Sequence, residues 1–575
     1  MSGTVTVPGV SGSTVALSFV GTANIGLAQQ IANALAAAKT AGTLIVDENY
    51  TGGALPSVPA GDTLELILAT SVSGVVSVPA APPGVSEVLV LPFGPGTGDE
   101  TGDPNAVTIS GSPALTIMGG GPGSLTIQDP NSFVVGEGVG PTDSVTATFT
   151  LADSPYVVAM GQGFETVFAQ GTGTINGGPG TDFIDVTGAS NTVFAGTGTT
   201  TVDTNSFKSD VVGGSASVLS VLDTGFLDTV AAGSGTTNVT ASGSSLIALG
   251  GSGSLSVDDK GVFDTIAAGT GSTAVTAGGV TGIVFGSPTS ENALTVDGAG
   301  GFADTVAYGG AGGVFSSSTP SSNDLLFAGV GSVSVDASNT TWDTIVGGSG
   351  SLTVNAGSAS GLVVFGPVAG AGMDFIGGSG SATVVGQAGS DTVSGGSGPL
   401  SIFTGPNETL SASGGSGGTT LFGAVGADMS YTGSTGSLLF VAGVGNDTLN
   451  ASGSSTANEY WAAIGAPAGN SLVGGSGDNT FAAGTGPDTF SGGAADNSYV
   501  FISSILGSSA QTDVISNFLT GTSSLVLSGG VSTVSASTGG SGAGAFTTLT
   551  LSDNTQITFL GVNSASQLTG HVFTN

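Results

Sequence analysis

The feature that most constrains this chain is a glycine-rich beat of nine residues. Residues 377–403 divide into GGSGSATVV, GQAGSDTVS and GGSGPLSIF, and residues 465–500 into GAPAGNSLV, GGSGDNTFA, AGTGPDTFS and GGAADNSYV. Glycines gather at the first, second and fourth positions. The eighth is always apolar: Val384, Val393, Ile402, Leu472, Phe481, Phe490 and Tyr499. A turn of small residues followed by a short strand with one inward side chain satisfies this pattern. A single turn of this kind cannot bury its apolar side, whereas stacked turns bury a continuous one. The expected fold class is therefore all-β, a parallel β-solenoid over residues 163–500.

A longer beat overlies the short one. Val257-Asp258, Val296-Asp297 and Val335-Asp336 recur every 39 residues. Each is followed by an aromatic residue and an Asp-Thr-aliphatic triplet: Phe263 with Asp264, Phe302 with Asp304, Trp342 with Asp343. Equal spacing predicts that the three aromatics share one column, packed under a loop, because aromatic side chains usually bury for area.

The flanks differ from the repeat. Residues 1–42 read as an N-terminal arm and one helix, 43–162 as an irregular β region, and 501–575 as a C-terminal β cap. The helix is expected from Asn24 to Ala41, with Asn24 as N-cap, Gly42 at the C′ position, and Leu27, Ile31, Leu35 and Ala38 as its apolar stripe. Near the other end, TTLTLS (547–552) and TQITFL (555–560) alternate like paired strands around Asp553-Asn554, a favourable two-residue turn. Within 43–162, the segment 93–105 is the clearest loop, and it collects Asp99, Glu100 and Asp103.

Charge narrows the function. The 575 residues hold 39 acids against three lysines (Lys39, Lys208, Lys260) and no arginine, for a net charge of −36. That balance excludes nucleic acid as a partner, since phosphate tracking needs clustered cations, and it opposes anchoring on anionic lipid. No uncharged apolar run reaches the ~18 residues of a membrane span. The N-terminus has no basic, apolar leader pattern. With no cysteine, neither disulfides nor thiolate zinc sites can hold the fold.

The best single nonapeptide is Gly177-Gly178-Pro179-Gly180-Thr181-Asp182-Phe183-Ile184, and Asp391, Asp447 and Asp488 also fall at the sixth position. These blocks resemble the calcium-binding repeats of the RTX family, GGxGxDxUx, where U is aliphatic or aromatic. The resemblance implies Ca²⁺ held between neighbouring turns by Asp182, Asp391, Asp447 and Asp488 together with turn carbonyls, a donor set that suits a hard cation. Sixth positions nearby are Ala382, Leu400, Asn470, Asn479 and Asn497, so a few ions are expected rather than a full column. The other use of such an aspartate is to hydrogen-bond its own turn. The segment Asp513–Gly521, followed by Leu525–Leu527 and Thr555–Val562, resembles the ends of type I-secreted RTX proteins. That resemblance implies an uncleaved C-terminal secretion signal and an extracellular or cell-surface location.

Catalytic patterns are sparse. The only histidine is His571, near the C-terminus, and Gly414-Gly415-Ser416-Gly417-Gly418 fits GxSxG through composition rather than context. No enzyme activity is expected. The leading expectation is a secreted structural protein whose partner is itself, forming a surface layer or an extracellular matrix filament with Ca²⁺ screening its charge. Asp99, Glu100 and Asp103 are candidates for ions between subunits. The alternatives are an adhesin that binds cell-surface polysaccharide through the 43–160 region and, less favoured, a polysaccharide-modifying enzyme.

Overall fold

Strands in this chain arise from strict alternation. Thr236–Ala241 (TTNVTA) points Thr237, Val239 and Ala241 inward and leaves Thr236 and Asn238 outside. Each such segment is too short to stand alone, and it is held by equivalent segments one coil before and after. The computed structural model describes residues 2–575 except 21, 70, 71, 73, 93–106, 111–114, 121–123, 129–131, 135–143, 150–154, 216, 217, 288–293, 311, 318, 369, 388, 433, 434, 445, 463–468 and 504–509. Asp99, Glu100 and Asp103 lie outside the described residues, as does the start of the GAPAGNSLV block.

The chain forms two units, Met1–Phe285 and Gly286–Asn575. In each, every coil gives one strand to each of two parallel sheets, sheet I and sheet II. In the first unit, sheet I runs from Leu44–Tyr50 through Thr63–Leu68 and Ser86–Pro92 to Ile283–Phe285. Sheet II runs from Gly74–Ser77 to Thr273–Ala277. Parallel pairing thus begins at Leu44, and the less regular 43–162 stretch feeds the same two sheets as the glycine-rich repeat. In the second unit, sheet I extends from Thr305–Ala307 to Val572–Thr574 and sheet II from Leu294–Asp297 to Gln556–Leu560. The parallel β-solenoid read from the sequence is the observed architecture.

The eighth-position residues point inward as expected. Val384, Val393, Ile402, Leu472, Phe481, Phe490 and Tyr499 are all buried. Tyr460, Phe481 and Tyr499 stack at 4.8 and 5.2 Å between ring centroids, one per coil. Where coils meet at their turns, side chains do not fit: a Cβ on Gly415 would lie 1.7 Å from the Gly396 carbonyl oxygen, and one on Gly396 2.0 Å from that of Gly378. Glycine is required there by contact between backbones.

At the N-terminus, β1 (Ser2–Pro8) and β2 (Thr14–Val20) form an antiparallel hairpin, followed by α1 (Thr22–Ala41). The helix begins two residues before the expected start. Asn24 sits inside its first turn, buried, and its side-chain amide donates to the Met160 carbonyl, so it is not the N-cap. The buried seam is Asn24, Ala28, Ala32 and Leu35, flanked by Ile25, Leu27 and Ile31, and is rotated from the expected stripe because two surfaces claim the helix. It packs on the hairpin and on the outer side of sheet I at Ile67, Val88, Val90, Met118 and Ala159. Gly42 takes a left-handed C′ conformation (φ 74°), with the Thr43 amide bonded to the Ala38 carbonyl at 2.9 Å.

At the other end, Thr533–Gly539, Phe546–Leu551 and Gln556–Leu560 form an antiparallel meander, with Asn554 left-handed (φ 69°) in the expected turn. The last strand of sheet I, Val572–Thr574, pairs with Ser524–Ser528, and His571 Nδ1 lies 2.8 Å from the Ser523 carbonyl.

Candidate functional site

All four aspartates singled out by the sequence point into the solenoid and are 1–3% exposed. Three of them hold their own turns. Asp182 accepts from the Gly178 amide at 2.8 Å, Asp447 from Gly443 at 2.6 Å and Asp488 from Gly484 at 2.9 Å. Asp391 instead accepts from the Met373 amide of the preceding coil at 2.8 Å. Asp488 also reaches back one coil, to the Asn470 amide at 2.9 Å, while Asp513 accepts from the Asp488 amide at 2.8 Å. Asp391, Asp488 and Asp513 therefore staple coil to coil.

The four do not converge. Asp447 and Asp488 stand in one column but are separated by Asn470, whose side-chain oxygen accepts from the Asp447 amide at 3.2 Å. Among the described residues, no three His, Asp or Glu side chains are placed to hold one metal ion. Three of the four aspartates still carry a buried oxygen with no partner: Asp182 Oδ1, Asp391 Oδ2 and Asp447 Oδ1. Oxygen donors of this kind fit a hard cation, and turn carbonyls would have to complete its shell.

Asp182 and Asp391 each have a carboxylate neighbour in the adjoining coil, which the sequence reading missed. Glu165 lies opposite Asp182 in register, which sets two buried carboxyls side by side. Asp391 and Glu408 form a second such pair. Two buried carboxyls so close repel when both are charged, which favours keeping a proton on one of them. Burial pushes Asp182 and Glu408 up to about 8, and the neighbouring carboxylate adds to the shift. Asp264 is raised to about 8 by burial and by Asp259. The signal was a spacing of 17 residues, Glu165 to Asp182 and Asp391 to Glu408. It was obscured because the partner is a glutamate outside the nonapeptide register.

The triplet aspartates of the 39-residue beat also turn inward. Asp304, Asp324 and Asp343 occupy successive coils, with the Asp304 amide donating to Asp324 Oδ1 at 3.1 Å and the Asp324 amide to Asp343 Oδ1 at 3.0 Å. Burial, then the charge of Asp343, raises Asp324 to about 7.

The aromatics of that beat are not packed under a loop. Phe263, Phe302 and Trp342 are 66%, 50% and 68% exposed. Nor do they share a position. Phe302 bridges to Ser322 in a short third ladder, equivalent to Val262, whereas Phe263 and Trp342 follow that ladder at a left-handed corner (φ 62° and 63°). The corner recurs in successive coils of the first unit at Ser190, Lys208, Leu227, Ser245, Phe263 and Thr281. Its tight geometry aims the side chain outward, which equal spacing alone could not foresee. On the same ladder Phe207 and Phe226 stack at 5.7 Å.

The outer surfaces of the two sheets are unlike. In the second unit, sheet I carries an unbroken apolar column in register: Ala307, Phe327, Val346, Phe365, Val385, Phe403, Phe422, Val441, Trp461, Ala482, Val500, Val526 and Phe573. Phe403 and Phe422 stack face to face at 4.6 Å. Beside them a groove of about 510 Å³ is lined by Leu439, Val441, Ala442, Glu459, Trp461 and Ala462. The matching outward column of sheet II reads Thr295, Val314, Ser334, Thr353, Asp374, Thr392, Ser411, Ser430, Asn450, Val473, Ser491 and Ser516.

Ser416 lies exposed in a turn between two strands, without the strand-to-helix elbow of a nucleophile. In comparisons with known proteins, the chain matches no family model, no curated protein and no solved structure.

Proposed function

We propose that this protein is a secreted structural subunit that assembles with copies of itself into a surface layer or extracellular filament, aided by Ca²⁺. The observation that carries this reading is the apolar column on the outer face of sheet I in the second unit. Phe327, Phe403 and Phe573 there are 39–50% exposed. Large contiguous exposed apolar strips mark association surfaces. A net charge of −36 opposes close packing of copies, so a divalent cation is the natural partner in assembly. The unpartnered oxygens of Asp182, Asp391 and Asp447 are where such an ion would first be drawn within the subunit. Export through a C-terminal signal rests on the likeness of Asp513–Gly521 and the strands after it to RTX ends. The test is negative-stain imaging in EDTA and then in Ca²⁺: ordered arrays or filaments in Ca²⁺ are expected, and dispersed single particles throughout would overturn the reading.

A second reading, a polysaccharide-binding surface protein, is favoured by the exposed corner aromatics. Phe263 and Trp342 project from strained corners, and flat aromatic faces suit sugar rings. Saturable binding of a soluble glycan, abolished by Trp342→Ala, would put this reading ahead.

A further inference from the structure

We infer that the apolar face of sheet I in the second unit, Ala307 to Phe573, is covered by the same face of a second copy of this chain, related by a two-fold axis. The inference rests on the self-assembly reading and names the surface.

The chain itself shows how this kind of face is used. In the first unit the outward column of sheet I begins Ile67, Val90, Met118, and α1 with its hairpin buries these residues to 0–4% exposure. Farther along that unit the column is bare at Phe194, Leu249 and Phe285, each 41–45% exposed. In the second unit the column is bare at Phe327, Phe403 and Phe573, each 39–50% exposed, and closed at Ala482, which is 3% exposed.

Charge selects the occupant. All three lysines lie in the first unit, so the second unit has neither lysine nor arginine. An anionic polymer or membrane is repelled by it, and a cationic partner would seek its acids rather than this face. The column contains no charge, and the neighbouring outward column, Thr305 to Ser524, holds one acid, Glu459. Two strongly acidic bodies approach at least cost through the surface where each carries least charge.

Size and relief agree. Strands about 4.8 Å apart make the column about 60 Å long, and a strand of three to four residues makes it roughly 10 Å wide. The footprint is on the order of 600 Å² per partner, about 1,200 Å² in total, the lower bound of specific interfaces. The stacked pair Phe403–Phe422 is its ridge and the groove beside Trp461 its hollow. A two-fold axis between Phe422 and Val441 sets Phe403 of one copy into the Trp461 groove of the other, and Phe365 against Val500.

The test is sedimentation of the full chain over a concentration series, with Phe403→Asp and Val441→Asp in the apolar column (the ribbon variants) and the sheet II variant Ser411→Asp, each checked for native circular dichroism. A concentration-dependent dimer is expected. Each ribbon variant should weaken it at least about tenfold, because the interface would bury an unpaired charge, and Ser411→Asp should leave it within about twofold. With no native cysteine, a mixture of Phe365→Cys and Val500→Cys chains should crosslink between copies under mild oxidation. A monomeric wild type, undiminished dimers in both ribbon variants, or flotation of the wild type with neutral vesicles that the ribbon variants lose would overturn the inference. Arrays that persist in the ribbon variants would sink this surface and leave the assembly reading. Dimers that never grow into arrays would do the reverse.

Discussion

The two outer faces of the second unit are made by the same coils and share one interior, yet one is apolar and the other hydroxylated. Val385 and Ser394 show the contrast: each ends a nonapeptide block, one after Val384 and the other after Val393, both buried. The inward eighth residue fixes the coil and is apolar in every block. The outward residue is left to choose a surface. The lesson is that stability and surface character are separable in this fold, one residue apart along the strand.

That separation can be broken from the inside. Phe481 touches Tyr460, Phe490 and Tyr499 and is fully buried. Phe481→Ala should cost about 3–5 kcal/mol by thermal or denaturant unfolding, and it should disturb both faces together. Gly415→Val should be of comparable severity, since backbone rather than a flexible side chain fills its Cβ position.

The next largest effect is pH. Glu408 and Asp182 hold protons in the folded state up to about 8, whereas unfolded carboxyls release theirs near 4. Folded pKa values are raised, so the stability tied to these protons is complete in acid and is lost as pH rises from about 4 through about 8. Each proton tilts stability by about 1.4 kcal/mol per pH unit across that window. The melting temperature in EDTA should fall from pH 5 to pH 9, and Glu408→Gln should flatten the fall. Added Ca²⁺ should raise the melting temperature most at the alkaline end, where the carboxylates are ionised.

The smallest effect on stability sharpens the comparison most. Val385→Thr on the apolar face and Ser394→Val on the hydroxyl face should each change stability by about 0.5 kcal/mol or less. Their solubilities should move in opposite directions, measured by precipitation with ammonium sulfate. Large unfolding effects from either would mean that the outward positions help hold the coil.

The sequence by itself determined the architecture. A period of nine with an obligate apolar eighth position leaves a chain one way to bury Val384, Ile402 and Phe490, which is to stack. The turn at Asp553-Asn554 and the cap at Gly42 were equally legible, because local backbone preferences set them. Three things were decided only in the tertiary structure. The seam of α1 moved to Ala28 and Ala32 because the hairpin and sheet I both press on it. Glu165 met Asp182, and Glu408 met Asp391, because coil length rather than motif register sets which side chains face each other. Phe263 and Trp342 turned outward because a left-handed corner, invisible as spacing, directs the side chain away from the core. Periodicity tells where the chain returns, but it leaves open which way a corner residue points and which neighbour waits there.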